Sequence, residues 1–428
     1  MASTRFIMEV DGSVTGKSKL WTGDFVLVLA VALLAFIGVQ GLNNGTPIYV
    51  SLLGGSNAYA GMLILEFSFA AALARIAIGR TIDGHMRRSF MVGGAALMLV
   101  GTAGVIPFPF LEAQIVFRAI QGAGFGAITT AASTATADVA PATRLGEGLG
   151  YYGLGQSLGF AIGPSMAIVL LSFSWHEMLF AGMAAVSLCL IVLGYACRYE
   201  KHPERLDPTC AYAVAMRARL ESSTGRESVR EDDAAESVSN TTRQPLVWRL
   251  FEKGALPGAI PMLVSCLGYA IIVSFVSKYG VQTGLSAPGV FFVFAAVTMT
   301  AVRLLGGRLI DNVKPRMLLV APVLCGICCF FILATAPSEA WFYVAGGFFG
   351  LSMGLAFPLF NTVCVRCAPI ERRGAASALY GLANDMGIGL GSVLWGAVID
   401  AAGYTAAFWG GAIVLLATYA VAFAVFPR

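Results

Sequence analysis

Residues 75–83 read Arg-Ile-Ala-Ile-Gly-Arg-Thr-Ile-Asp, and residues 303–311 read Arg-Leu-Leu-Gly-Gly-Arg-Leu-Ile-Asp. The shift of 228 residues that joins the two stretches also carries Arg144 onto Arg372 without a gap. Charged and glycine positions rarely align over such a distance by chance, so the pattern indicates an internal duplication. We therefore predict two structurally equivalent halves.

Composition places the chain in a bilayer, because 57% of its residues are hydrophobic and only 12% are charged. About twelve apolar stretches of roughly 20 residues are each long enough to cross about 30 Å of hydrocarbon as a helix. The sequence thus predicts an all-α integral membrane protein with twelve transmembrane helices in two pseudo-symmetric six-helix halves, and a duplicated membrane protein is typically a transporter. The stretches lie near 24–46, 58–79, 90–108, 114–136, 147–171, 178–197, 257–279, 288–310, 317–335, 340–362, 374–399 and 404–426.

Polar segments divide the chain into a tail (residues 1–20), an N-terminal half (21–197), a linker (198–256) and a C-terminal half (257–428). The tail shows no cleavage site, so we expect the first span to stay in the membrane. Lys and Arg occupy the tail, the linker and alternate connections, which predicts cytoplasmic termini and a multi-pass protein of the cell inner membrane. The net charge of +4 follows this bias, and no basic patch predicts binding to nucleic acid.

Three motifs resemble those of a known family. Residues 79–88 resemble the loop 2–3 signature of the major facilitator superfamily, and residues 307–316 resemble its second copy. Arg118-Ala-Ile-Gln-Gly resembles the fourth-span motif Arg-x-x-Gln-Gly of the drug/proton antiporter branch, which includes arabinose-efflux-permease-like proteins. The fifth span resembles the antiporter motif of that branch through Gly150, Gly159, Gly163 and Pro164.

The chain also departs from these motifs. The basic residue that normally follows the loop aspartate is Gly84 in one copy and Asn312 in the other, and the final glycine pair of the antiporter motif is Ala167-Ile168. The resemblance implies tight packing of the fifth span against the eighth through the motif glycines. It also implies that the charged loop residues form a cytoplasmic gate between the halves.

We expect this gate to pair Asp83 with arginines of the first half and Asp311 with arginines of the second. Arg75 and Arg303 lie one helical turn above the two loops, where they would stabilise the gate. The alternative is that these charges serve only as positive-inside topology signals. The predicted gate residues are Arg75, Asp83, Arg87, Arg88, Arg144, Arg303, Asp311, Arg316 and Arg372.

Ionisable residues inside the spans are the candidates for proton coupling: Glu66, Arg118 and Asp385. Glu66 and Arg118 lie at similar depth, so we expect them to pair across the N-terminal half, either as a static ion pair or as a titrating one. Burial raises the pKa of a carboxylate and a neighbouring arginine lowers it, so a pair that separates during transport exchanges a proton. We expect Asp385 to bind a proton or cation, or to be a structural partner of Arg303 or Lys278.

Amide and phenol side chains are the candidates for a substrate cavity. Gln40, Asn43 and Asn44 share one face of the first span, where they either line a cavity or join neighbouring helices. The other predicted cavity residues are Tyr269, Tyr380 and Asn384.

These observations predict a secondary transporter, with proton-coupled efflux of small amphipathic organic molecules by alternating access. The alternatives are a proton-coupled importer of a nutrient or organic anion, a uniporter, a transporter-like sensor and a membrane enzyme. Catalysis is not predicted, because His85, His176 and His202 all lie in or beside loops. We expect a monomer whose partners are substrate, protons and lipid, with no cofactor and no metal, since Cys364 and Cys367 have no further ligands nearby.

Overall fold

The computed structural model describes residues 20–79, 87–201, 252–312, 315–335, 338–369 and 373–426, with residues 206, 209–210, 212–214 and 216 of the linker. Most of the predicted tail and linker lies outside these ranges. So do the predicted gate residues Asp83 and Arg372, and the side chain of Asp311 is also outside the described part.

The N-terminal half consists of six helices joined by short connections. Thr22 caps the first of them, since its hydroxyl accepts a hydrogen bond from the Phe25 amide at 3.2 Å. A short 3₁₀ turn, Ala142–Arg144, precedes the fifth. The helices are α1 (Gly23–Leu52), α2 (Asn57–Gly79), α3 (Arg87–Ala103), α4 (Leu111–Val139), α5 (Leu145–Leu171) and α6 (Met178–Ala196).

The C-terminal half repeats this order. It comprises α7 (Leu256–Gln282), α8 (Val290–Asn312), α9 (Val320–Thr335), which follows a single turn at Pro315–Leu318, and α10 (Glu339–Arg366). The helical segment Arg373–Val425 then changes direction at Gly403, whose φ of 79° is unfavourable for a residue with a side chain. We name its two parts α11 (373–402) and α12 (404–425).

Within the described residues, nine helical segments are long and apolar enough to cross a membrane, and the last of them is the kinked α11–α12 segment. Counting that segment as two helices and adding α3, which has 17 residues, and α8, whose described side chains end at Arg303, gives the twelve predicted spans. The predicted fold class is confirmed. The structure extends α1 beyond the predicted end at residue 46 to Leu52, through Pro47, because neighbouring helices in a membrane tolerate a proline inside a span.

Each half has its own hydrophobic core, and the two cores meet along α2 and α11, along α5 and α8, and along α1 and α7. Glycine permits the closest of these approaches: a Cβ on Gly61 of α2 would lie 2.2 Å from the Ser392 carbonyl oxygen of α11. A Cβ on Gly396 would lie 2.4 Å from the Asn57 carbonyl oxygen. The halves are thus in backbone contact where α2 begins and α11 ends.

We call the two ends of the helix bundle the near end and the far end. The near end carries the beginning of α1 and α7 and the end of α6 and α12. The far end carries the α1–α2, α7–α8 and α11–α12 connections. The sequence prediction that the termini are cytoplasmic would make the near end the cytoplasmic one.

Candidate functional site

Six described charged side chains lie inside helices, at least one turn from either helix end: Glu66, Arg75, Arg118, Lys278, Arg303 and Asp385. A charge at the centre of a bilayer costs about 2.5–3.5 kcal/mol on insertion scales, so each of these groups needs a partner, water or a ligand. Four are positive and two are negative. Their arrangement therefore determines what the interior can bind.

Arg75 and Asp385 form an ion pair between the halves. The Arg75 Nε lies 2.9 Å from the Asp385 Oδ2, and the Asn384 side-chain amide donates to the other carboxylate oxygen at 3.2 Å. The guanidinium also lies over the Phe125 ring, 5.7 Å from its centroid. The alternative that Asp385 is a structural partner of Arg303 or Lys278 is wrong, because Arg75 of α2 is its partner; proton or cation binding by Asp385 stays a prediction.

Arg303 occupies the position equivalent to Arg75 in the second half, and it also bridges the halves. Its guanidinium donates to the Gly153 carbonyl oxygen and, at 3.3 Å, to the Gln156 side-chain oxygen, both on α5. These acceptors are neutral. The Arg303 Nε is buried and has no hydrogen-bond partner among the described residues.

Arg118 is almost completely buried, with 1% of its surface exposed, but it does not form the expected direct ion pair with Glu66. It donates instead to the Leu42 carbonyl oxygen at 3.1 Å and to the Gln121 side chain at 3.2 Å, and it lies over the Phe67 ring. Glu66 is half-buried and interacts with Arg118 only through longer-range electrostatics. Backbone and amide acceptors on α1 and α4 bond the two terminal nitrogens of Arg118, and its Nε has no hydrogen-bond partner among the described residues.

The predicted amide face of α1 is buried, and its members differ in their contacts. Asn44 donates to the Gln40 carbonyl oxygen at 3.0 Å and accepts from Ser277 of α7 at 2.8 Å, so it joins the two halves. Gln40 packs its Cβ on Gly163 of α5. The Asn43 side-chain oxygen is buried without a partner among the described residues, which leaves it free to accept a hydrogen bond.

The other predicted cavity residues belong to the C-terminal half. The Tyr269 hydroxyl is 2.5 Å from the Ser352 hydroxyl, so it is already used in contact with α10. Tyr380 is half-buried against the second core. Asn384 holds Asp385 as described above and also accepts from the Cys266 thiol at 3.5 Å. Of the three, Asn384 alone touches one of the interior charges.

The far end is closed by polar contacts between the halves. Asp400, at the end of α11, accepts hydrogen bonds from the Asn57 amide nitrogen at 3.1 Å, the Asn57 side chain at 2.7 Å and the Ala58 amide nitrogen at 2.8 Å. It thereby caps the first turn of α2 from the opposite half. Lys278 donates to the Asn57 side-chain oxygen, and Ser165 of α5 donates to the Gly289 carbonyl oxygen at 3.2 Å.

At the near end, Arg87 and Arg88 bond within their own half, and their predicted pairing with Asp83 lies outside the described residues. The Arg87 Nε lies 2.9 Å from the carboxylate of Asp138 at the end of α4. Glu200, just after α6, accepts from the backbone amides of Arg87 and Arg88 at 3.0 and 3.3 Å. Tyr199 donates to Asp138 at 3.2 Å, and burial raises the pKa of Tyr199, so it remains a neutral donor.

The remaining described gate arginines also have local partners. Arg144 forms a two-pronged pair with Glu147, three residues later, at 2.8 Å. Arg316 donates to the Phe426 carbonyl oxygen at 2.5 Å and lies over the Phe423 ring of α12. The contacts between described residues that join the halves therefore run from the far end to the level of Arg75 and Arg303.

The motif resemblance implied that the fifth-span glycines pack against α8. The structure does not place them there. A Cβ on Gly159 would lie 2.5 Å from the Phe36 Cβ of α1, and one on Gly163 would lie 2.7 Å from the Ile37 carbonyl oxygen. Gly150 has no atom within 4 Å of its ideal Cβ position, and Pro164 lies inside α5. Gly159 and Gly163 therefore permit a close contact between α1 and α5 within the N-terminal half.

Two carboxylates at helix ends were not among the predicted residues, namely Asp138 and Asp400. The only sequence signal for either is an acidic residue at the boundary of an apolar span, where a charge needs a nearby partner. Among the described residues, no group of three or more His, Cys, Asp or Glu side chains is arranged to hold a metal ion.

Comparison with known proteins gives a consistent result. A family model described as Major Facilitator Superfamily matches residues 28–387 and 316–428. The chain is 20% identical to an uncharacterized MFS-type transporter of Methanocaldococcus jannaschii, covering 90% of this chain and 91% of that protein. It is also 20% identical to the staphylopine export protein of Staphylococcus aureus, covering 89% of this chain and 90% of that protein.

Among solved structures, the crystal structure of a D-xylose-proton symporter superposes with a TM-score of 0.70 at 14% identity. The match covers 94% of this chain and 98% of the symporter. At this identity the similarity shows the fold alone.

Proposed function

Because the chain belongs to the Major Facilitator Superfamily, we propose that it is a proton-coupled exporter of small amphipathic organic molecules, working by alternating access. The family's members are transporters rather than enzymes, and they bind small-molecule substrates within the membrane. The observation that carries the proposal is the Arg75–Asp385 ion pair, which joins the two halves inside the membrane.

This ion pair links movement of the halves to proton binding. Rocking of the halves moves α2 relative to α11, and Arg75 and Asp385 lie on those two helices. A carboxylate that loses a guanidinium partner in apolar surroundings binds a proton more readily. Asp385 then takes up a proton when the pair opens and releases it when the pair forms again, and Glu66 near Arg118 is a second exchangeable carboxylate.

Two observations support export. The fourth-span and fifth-span motifs resemble those of drug/proton antiporters, and one relative over most of the chain is named as an export protein. The Lys and Arg distribution supports a cytoplasmic near end, so substrate would enter from that end while the Asp400 contacts keep the far end closed. We expect the protein to act as a monomer in the cell membrane.

The proposal is tested with purified protein in liposomes that contain a trapped pH dye and an acidic lumen. A panel of lipophilic cations, neutral drugs and organic acids is added outside, and each compound's uptake is followed alongside lumen pH. We expect at least one compound to release protons from the lumen with wild-type protein. Asp385→Asn should abolish that release, and Glu66→Gln should reduce it.

The matched control is Glu112→Gln, which removes an exposed carboxylate at the beginning of α4 and should leave proton release unchanged. A compound that instead carries protons into a neutral lumen would identify symport and an importer. Solute equilibration without any pH change, in wild type as in Asp385→Asn, would identify a uniporter and contradict proton coupling.

A further inference from the structure

We propose that Arg303 binds the anionic group of the transported molecule, so that the substrate class is an amphipathic carboxylate, phosphate or sulfonate. The inference rests on the proposed transport function and names the chemistry of its substrate. Two arginines at equivalent positions of the repeat have partners of different charge.

The internal repeat places Arg75 and Arg303 at matching positions on α2 and α8. Both cross to the opposite half, Arg75 to α11 and Arg303 to α5. The residue of α5 that matches Asp385 is Ser157, and the residue that matches Asn384 is Gln156. The first arginine therefore meets a carboxylate, whereas the second meets a serine position in an otherwise equivalent arrangement.

The serine does not compensate the charge. The Ser157 hydroxyl is fully buried and bonds the Gly153 carbonyl oxygen at 3.3 Å, the same oxygen that accepts from Arg303. No ion pair between described residues includes Arg303. Two neutral acceptors thus hold a full positive charge about 20 Å along α8 from the far end.

The described interior as a whole has the same imbalance. Asp385 balances Arg75, Asp400 lies near Lys278 and Glu66 lies near Arg118, so Arg303 is the positive charge that remains. An uncompensated charge at this depth is costly, and intramembrane charges of this kind mark substrate or ion pathways. An anion that enters between the halves would remove the cost and would bind the fork of the guanidinium, whose Nε is still without a described partner.

The repeat also supplies the test, because Ser157→Asp gives Arg303 the counter-charge that Arg75 already has. Ser157→Asn is the matched control of similar size without the charge. Arg303→Gln removes the positive charge, and Arg303→Lys keeps it without the planar fork. The probes are 4-phenylbutyrate, 4-phenylbutanol and 4-phenylbutylamine, which differ only in the charge of one end.

Binding is measured from the rise of the unfolding midpoint of the purified full-length protein with probe concentration. We expect wild type and Ser157→Asn to bind 4-phenylbutyrate at least tenfold more tightly than the alcohol or the amine. Arg303→Gln and Ser157→Asp should each weaken the binding of 4-phenylbutyrate by about tenfold to a hundredfold, which is the range of one or two charge-assisted hydrogen bonds. Arg303→Lys should be intermediate.

Equal binding of the acid and the alcohol by wild type would overturn the proposal, and so would unchanged acid binding in Arg303→Gln. If one serine variant fails to fold, the Arg303 variants still decide the outcome. The measurement does not depend on proton movement. Proton release driven by the amine or the alcohol, without acid binding, would leave the exporter proposal intact and remove only the anion site.

Discussion

Arg75 and Asp385 show how much one side chain depends on its partner. Asp385 is an acidic residue in an apolar span, and the sequence identified it as needing a partner. Its partner lies 310 residues away on the other half. Arg303 and Lys278 lie nearer to Asp385 in the sequence, in the same half, and only the packing of α2 on α11 brings Arg75 to the carboxylate instead.

We predict that Arg75→Gln and Asp385→Asn each lower the stability of the protein in detergent, while the double variant is more stable than the two losses added together imply. Each single change leaves one charge without its partner, and the side chains are only 24% and 9% exposed. The coupling should be about 0.5–3 kcal/mol. Chemical unfolding of all four proteins measures it, and strictly additive losses would show that the pair contributes nothing.

We also predict that Tyr199→Phe destabilises the near end by about 1.5–3 kcal/mol, because Tyr199 is fully buried and its hydroxyl donates to the charged Asp138. The control is Tyr195→Phe, since Tyr195 is 56% exposed and its ring lies beneath the Arg88 guanidinium, a contact that Phe keeps. Unfolding free energies decide the matter: equal values for both variants would contradict the assigned hydrogen bond.

At the scale of the element, glycines of one motif have different surroundings. Spacing along α5 placed Gly150, Gly159 and Gly163 in a packing motif, but Gly159 and Gly163 pack on α1, and nothing lies within 4 Å of the ideal Cβ position of Gly150. The repeat holds in the second half, where a Cβ on Gly387 would lie 2.5 Å from the Cys266 Cβ of α7. Sequence spacing indicates that one face of a helix carries small residues. Which helix lies against that face depends on how the six spans pack together.

We predict that Gly159→Ala destabilises the protein by about 1–3 kcal/mol, because the added methyl group overlaps Phe36 in a tightly packed contact. Gly150→Ala should be neutral or stabilising by about 0.5–1 kcal/mol, because nothing lies within 4 Å and alanine favours helix. Unfolding in detergent compares them. A loss in Gly150→Ala as large as that in Gly159→Ala would place both glycines in contacts.

At the scale of the whole molecule, the halves are held together at the far end by residues from both. Asp400 caps α2, and Lys278 and Ser277 of α7 bond Asn57 and Asn44. Each contact joins segments more than two hundred residues apart. Loss of these contacts is a condition for opening the far end, so their strength sets how often that end opens.

We predict that Asp400→Asn increases far-end opening, because the first turn of α2 loses its charged cap. The measurement is labelling of Ala60→Cys by a membrane-impermeant maleimide, in a background without the nine native cysteines. Ala60 is fully buried against the second core, so it reacts only when that end opens. We expect several-fold faster labelling in Asp400→Asn, with no change in Glu112→Gln. Equal rates in all three would contradict the role of Asp400.

The twelve spans, the two equivalent halves and the charges that need partners were predictable from the amino-acid sequence. These follow from local properties, because the length and apolarity of a segment decide whether it crosses a bilayer, and a repeat is visible in the chain. The partners of these groups depend on how the helices pack: Arg75 for Asp385, α5 for Arg303, α1 for Gly159 and Gly163, and Asp138 for Arg87. In a span that is apolar on all sides, hydrophobic periodicity does not mark the face that meets a given neighbour, so helix packing makes that choice.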